Sequence, residues 1–369
     1  MLLQNKPFGL KIENNCLASC VNHSAIIAQL YNKKKGFQMN RLLTNGFSIL
    51  LLLMVATTSQ SYEKRNILQE EAKKIELGSA LIQDFSKLGF PTYNNRDFWD
   101  GLNSELRKQY IAAAEAQLDF DWPTIKATDY LEFKRTGDQR QAIFSRLRGA
   151  LVDLVMGELV EGRGRFIDQI INGVWYYCEQ TWWGWSAHLR ESDSLPDVRT
   201  PFIDLGVSDI ANVLSWTWFL FKDQFNKIHP FIAARLKEEI RNKVLVHYYL
   251  RDDYWWQGFK SHTANNWNTW INYNLLNAIM IIEDRQQQKI NGVGKIIRSL
   301  DEFLNAYPSD GGCDEGPSYW FRAGGVLFES LELLKRATND KFDVFEHQLV
   351  KNIGSYIYNI GKILGRSVL

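Results

Sequence analysis

Several chemistries are thinly supplied in this chain of 369 residues. It has six histidines and four cysteines, and no His/Cys/Asp cluster falls at a metal-holding spacing. No metal or cofactor is therefore expected. Cys16 and Cys20 lie in an N-terminal stretch that is set apart below. Cys178 and Cys313 read as two unpaired buried thiols, because a disulfide needs a proximity that sequence does not show. No histidine is placed in sequence to activate Cys313, which argues against a cysteine nucleophile. Charge of one sign is also missing: 43 Lys+Arg stand against 42 Asp+Glu. A nucleic-acid binder is normally basic, so no nucleic-acid partner is expected. Strand alternation bounded by hairpin turns is absent. So are a fixed repeat period and a linker.

The longest apolar run is short. Residues 39–61, MNRLLTNGFSILLLLMVATTSQS, read as a secretory signal, with Arg41 in a positive n-region and an apolar h-region over 47–56. That length favours a signal peptide over a membrane span. Residues 1–38 then read as an upstream extension, with Met39 as the native start. The alternative is a membrane anchor with a short tail containing Lys33, Lys34 and Lys35. The expected location is secreted or periplasmic, with membrane contact only through an uncleaved signal. Without residues 1–61 the chain keeps 37 bases and 41 acids, a net of −4. A polyanionic partner would thus be held by local arginines, not by net charge.

What remains is helix after helix. Apolar periodicity predicts helices near 66–86, 98–117, 139–160, 165–180, 207–225, 231–249, 266–283, 293–306, 318–336 and 343–360, with a long loop over 192–204. The fold class is all-α, one large domain over residues 62–369.

Two stretches carry most of the functional signal. Residues 310–325, DGGCDEGPSYWFRAGG, run two glycines and two carboxylates (Asp314, Glu315) into Gly316-Pro317, which suits the first turn of a helix. Trp320, Gly324, Leu327, Leu331 and Leu334 then recur on one buried face. Tyr319 and Arg322 are three apart and neighbour each other on the helix surface. Tyr319 near a helix N-terminus lies in positive dipole potential, which suits a tyrosine used as acid or base. The same stretch also reads as a packed turn. The second stretch, 261–277, has asparagine at 265, 266, 268, 272, 274 and 277. Asparagine is a mediocre helix former, so these want hydrogen-bonding work. They either bind sugar hydroxyls and carboxylates or cap and brace backbone. A third feature is aromatic. Trp175, Tyr176, Tyr177, Trp182, Trp183 and Trp185 crowd ahead of His188, and Tyr254, Trp255 and Trp256 form a second group. Each reads either as core or as a platform for sugar rings at the rim of a cleft.

ANNWNTW at 264–270 and YPSDGGCDEGPSYWFRAGG at 307–325 resemble the helical domain of the heparinase II/III-like family. EQTWWGWSAHL at 179–189 and DLGVSDIANVLSWTWFL at 204–220 are similar to that family's upstream segments, in the same order. The resemblance spans roughly residues 70 to 360. It implies an incomplete α/α toroid and a polysaccharide lyase that cleaves a uronic-acid-containing polysaccharide by β-elimination. It also implies a following β-sheet domain. The chain ends at Leu369 without one, so the sequence is expected to be cut short.

That reaction neutralises the C5 carboxylate, removes the C5 proton and protonates the departing O4. The resemblance puts the carboxylate on Asn266, with Asn265 adjacent, and proton transfer on Tyr319. A free phenol titrates at about 10, so a basic tyrosine needs a nearby cation or dipole. Arg322 and the helix N-terminus are the local candidates. His188 matches a cleft position and either binds substrate or shares proton transfer. Trp267 stands where some lyases carry a histidine. Trp267, Trp183, Trp185, Glu179, Glu315 and Arg322 complete the expected substrate-binding set, and the expected partner is an acidic polysaccharide. Two other readings stay open. One is a glycoside hydrolase with Asp314 or Glu315 as acid; the other is a non-catalytic glycan-binding toroid.

Overall fold

Apolar stripes that recur every three or four residues can be buried only by pairing helices, and the chain does this throughout. The computed structural model describes residues 64–136, 141–189, 195–260 and 264–363. The expected signal at 39–61 and the upstream residues 1–38 lie outside these. Among the described residues there is no strand, and no helix is long and apolar enough to cross a membrane.

The principal helices are α1 (Ile67–Lys74), α2 (Arg96–Asp100), α3 (Ser104–Glu115), α4 (Ala127–Thr136), α5 (Gln141–Glu161), α6 (Ile167–Glu179) and α7 (Leu205–Ile228). They continue with α8 (Pro230–Ile240), which runs through a π turn (Arg241–Leu245) into α9 (Val246–Leu250), then α10 (Asn266–Ile282) and α11 (Gln286–Ala306). Last come α12 (Pro317–Trp320), which runs through a π turn (Phe321–Gly325) into α13 (Val326–Ala337), and α14 (Gln348–Ile363).

One row of helices packs α5 on α7, α7 on α10 and α10 on α13. A second row backs it: α3 and α6 lie on α5, α8 on α7, and α11 on α10, while α1 packs behind α11. The core lies between the rows. Leu327, Leu331 and Leu334 of the predicted stripe are fully buried in α13, each contributing about 1.5–3 kcal/mol. Trp320 joins them at the edge, and its indole N–H donates to the Ile353 carbonyl at 2.9 Å.

Several predicted boundaries shift for local reasons. The stretch near 98–117 breaks at Gly101, because Asn103 caps a new helix by accepting from the Glu105 and Leu106 N–H groups. That is ordinary N-capping. The stretch near 66–86 is interrupted where Glu76 takes a left-handed backbone, φ 51°. Helix α11 begins at Gln286, earlier than the expected 293, and α4 was not anticipated. Both thiols are buried and unpaired, as expected, and burial pushes Cys178 up to about 12.

Candidate functional site

Helix α10 presents two polar faces with opposite fates. Asn268 and Asn272 turn toward α11. The Asn268 amide donates to the carbonyls of Trp256 and Ser299, both at 2.9 Å, and to the Ser299 hydroxyl at 3.0 Å. Asn272 donates to the same hydroxyl at 2.8 Å. Asn274 turns to α7 and donates to Ser208 and Asp209, and Asn277 donates to the Tyr273 carbonyl. Asn265 is the N-cap, its side chain accepting from the Trp267 N–H at 3.1 Å. Five of the six asparagines are thus occupied. The sixth, Asn266, is only 5 % exposed, yet its side-chain amide makes no hydrogen bond among the described residues.

The loop before α12 comes to this same end of α10. The Asn266 backbone N–H is aimed at the Glu315 carboxylate, and the Thr269 hydroxyl donates to the Arg322 carbonyl at 2.9 Å. Gly316 is left-handed, φ 82°, a backbone that glycine adopts without steric cost and that turns the chain into Pro317. Glu315 is solvent-exposed, but neighbouring protein atoms, and then the Asp314 charge, push its carboxyl up from the usual range. Tyr319 is 51 % exposed. The Arg322 guanidinium lies over the Trp270 ring, 4.0 Å from its centroid. This is a cation–π contact, in which the indole face attracts the guanidinium.

His188 reaches the same end of α10 from the 186–188 turn. Its imidazole lies 4.6 Å from the Trp267 ring and 5.1 Å from Trp185, and its Nδ1 is 2.7 Å from Asp204 Oδ2. Trp185 is packed over Gly206, where a Cβ would approach the indole to 2.7 Å. Trp255, 42 % exposed, lies 5.0 Å from Trp267. The rings of Trp255, Trp267, His188 and Trp185 thus form one continuous run.

Not every expected residue lies here. Trp183 is 3 % exposed, and its indole N–H donates to the Tyr177 carbonyl at 2.8 Å. Trp182 does the same to Phe202 at 2.9 Å. The rim-platform reading of these two is corrected to core, because each indole has found a backbone acceptor inside. In the second aromatic group Tyr254 and Trp256 are buried likewise, leaving Trp255 as the open ring. Glu179 is engaged elsewhere, paired with Arg235 at 2.8 Å, and Arg235 in turn covers Trp175.

Beyond Asn266 a polar seam crosses the row formed by α5, α7, α10 and α13. Arg148 of α5 pairs with Asp209 of α7, and Asp209 accepts from the Trp270 indole at 2.7 Å. Arg322 stacks on that indole. Tyr273 hydrogen-bonds Glu329 of α13, whose carboxyl is raised by burial despite this bond and the Arg322 charge. Asp204, Asp209, Arg148 and Glu329 were not singled out from sequence. Asp204 falls at the end of the expected 192–204 loop, and Asp209, Arg148 and Glu329 are single residues on long helices. Trp270 and Tyr273 follow Asn266 at helical spacing in the sequence. Among the described residues no group of acidic, histidine or cysteine side chains is placed to hold a metal.

The chain matches no family model and no curated protein.

Proposed function

We propose that this protein is the helical part of a heparinase II/III-like polysaccharide lyase, which cleaves a uronic-acid-containing polysaccharide by β-elimination. The observation that carries the reading is Asn266: a nearly buried amide without a hydrogen-bonding partner among the described residues, in a helix where every other nearby asparagine has one. The amide atoms of Asn266 are not sealed from solvent, so a bound carboxylate can reach them and accept from the amide N–H groups. Two helix rows side by side are the arrangement expected of an incomplete α/α toroid, with the inner row lining the groove.

In this reading Asn266 donates to the C5 carboxylate, and the C5 proton becomes acidic. His188 and Tyr319 share the proton transfers. The C5–H electrons form the C4=C5 double bond, the C4–O4 bond breaks and O4 leaves protonated. Trp255, backed by Trp267, offers an exposed ring to a neighbouring sugar, and Arg322 supplies positive charge along the groove. The protein acts outside the cytoplasm on an acidic polysaccharide or oligosaccharide. The test is new ultraviolet absorbance from an unsaturated uronate when the protein meets a panel of uronate polymers. Its absence across the panel rejects the reading.

One observation favours a second reading, a glycoside hydrolase. The raised Glu315 carboxyl is the property of a general acid, which such enzymes pair with a second carboxylate. Reducing ends without unsaturation would mark it.

A further inference from the structure

We propose that Asp204 is a positioning residue that fixes which nitrogen of His188 carries the proton. Its consequence for turnover rests on the elimination reading above, while its geometry does not. Asp204 is fully buried. Its Oδ1 accepts from the Val207 N–H at 2.7 Å, capping α7. Its Oδ2 accepts from the Trp185 N–H at 3.0 Å and lies 2.7 Å from His188 Nδ1. With two backbone N–H groups already donating to it, the carboxylate offers His188 an acceptor, so Nδ1 carries the hydrogen. Trp185 and Trp267 flank the ring and hold its orientation. Nε2, on the opposite side of the ring from Asp204, makes no hydrogen bond among the described residues, and Trp267 is the next residue after Asn266.

The arrangement leaves Nε2 as the lone-pair nitrogen, fit to accept a proton. In the elimination, Nε2 takes the C5 proton, the C5–H electrons become the C4=C5 bond, and the C4–O4 pair leaves on O4. The Tyr319 phenol gives its proton to O4. The imidazolium then returns its proton to the phenolate through water, and both groups are restored. The opposite tautomer would aim an N–H at the C5 hydrogen and accept nothing.

The experiment uses the full chain labelled with 15N-histidine, with the His188 resonances identified by their loss in His188→Gln. Long-range proton–nitrogen correlation then reports which ring nitrogen is protonated in the neutral form. The expected result is Nδ1–H. Asp204→Ser keeps a capping hydroxyl for α7 but cannot reach His188, and it should move the ring toward Nε2–H. Turnover on uronate polymers should drop at least about 100-fold in kcat, the scale of a lost proton acceptor, with KM little changed. An Nε2–H ring in the unsubstituted protein overturns the proposal, even if the serine variant does not fold. A ring that stays Nδ1–H in a folded Asp204→Ser variant overturns it too. If the tautomer shifts as expected while no polymer is cleaved by either protein, the positioning role stands and the elimination reading falls.

Discussion

The two polar faces of α10 carry the same residue type for opposite purposes. On the face toward α11, Asn268 and Asn272 close on Ser299 and the Trp256 carbonyl, and every amide proton of Asn268 is spent inside the protein. At the open end, Asn266 is almost as buried but spends its backbone N–H on Glu315 and its side chain on no described residue. Composition does not separate the two. What separates them is whether a neighbouring helix brings acceptors to meet the amide: α11 does, and the glycine loop stops short at the backbone. Under the proposed function, the closed face should therefore govern stability and the open end should govern turnover.

Substitutions can break that division if it is wrong. The largest expected effect is Tyr319→Phe, which should lower turnover about 1,000-fold or more, within the range for a lost acid–base group. Tyr319 is half exposed, so thermal unfolding should hardly move, and a large loss of stability would contradict the division. Next is Asn268→Ala on the closed face. It strands the Trp256 and Ser299 carbonyls and should cost about 3 kcal/mol in chemical denaturation, with substrate affinity unchanged in the folded fraction. Trp255→Ala should weaken oligosaccharide binding about tenfold, the scale of one stacking contact, as read by calorimetry, and leave stability within about 0.5 kcal/mol.

A last effect belongs to buried core groups at high pH. Burial raises Cys178 from 9.0 to about 12 and Tyr130 and Tyr254 from 10.0 to about 12. Each folded value exceeds the unfolded one, so the unfolded chain releases these protons first. Their stabilising contribution is complete below pH 9 and is lost as pH climbs through 9 to 12. The denaturant midpoint should hold from pH 7 to 9 and then fall, and Cys178 should resist thiol reagents at pH 8 until the chain unfolds. A midpoint that rises with alkalinity would be the wrong sign.

Much of the fold was readable because a buried helix face must repeat. The stripe from Trp320 to Leu334 and the span of α10 follow directly from such spacing. Helix α4, ATDYLEFKRT, was not readable, since its few apolar residues make no continuous stripe and neighbouring elements decide its state. The start of α11, QQQKING, failed for the same reason. The two π turns leave no periodic trace, and the second is what carries Arg322 onto Trp270. At the site, Asn266, Trp270 and Tyr273 recur at helical spacing, but the partners that distinguish Asn268 from Asn266 come from residues 12 and 31 positions away. The tryptophans behaved likewise. Trp183 and Trp255 look equivalent in sequence, and only the carbonyl of Tyr177 beneath Trp183 draws that ring inward.

The central claim is that the open end of α10 holds a uronate carboxylate. The most direct measurement follows ultraviolet absorbance while unsubstituted protein and Asn266→Ala act on the same uronate polymers, with unfolding curves recorded in parallel. The account predicts a rise in absorbance that drops at least about 100-fold in rate with the alanine, as for a lost preorganised donor, at matched stability. A rise that Asn266→Ala leaves untouched, or one lost only because the variant unfolds, would contradict it.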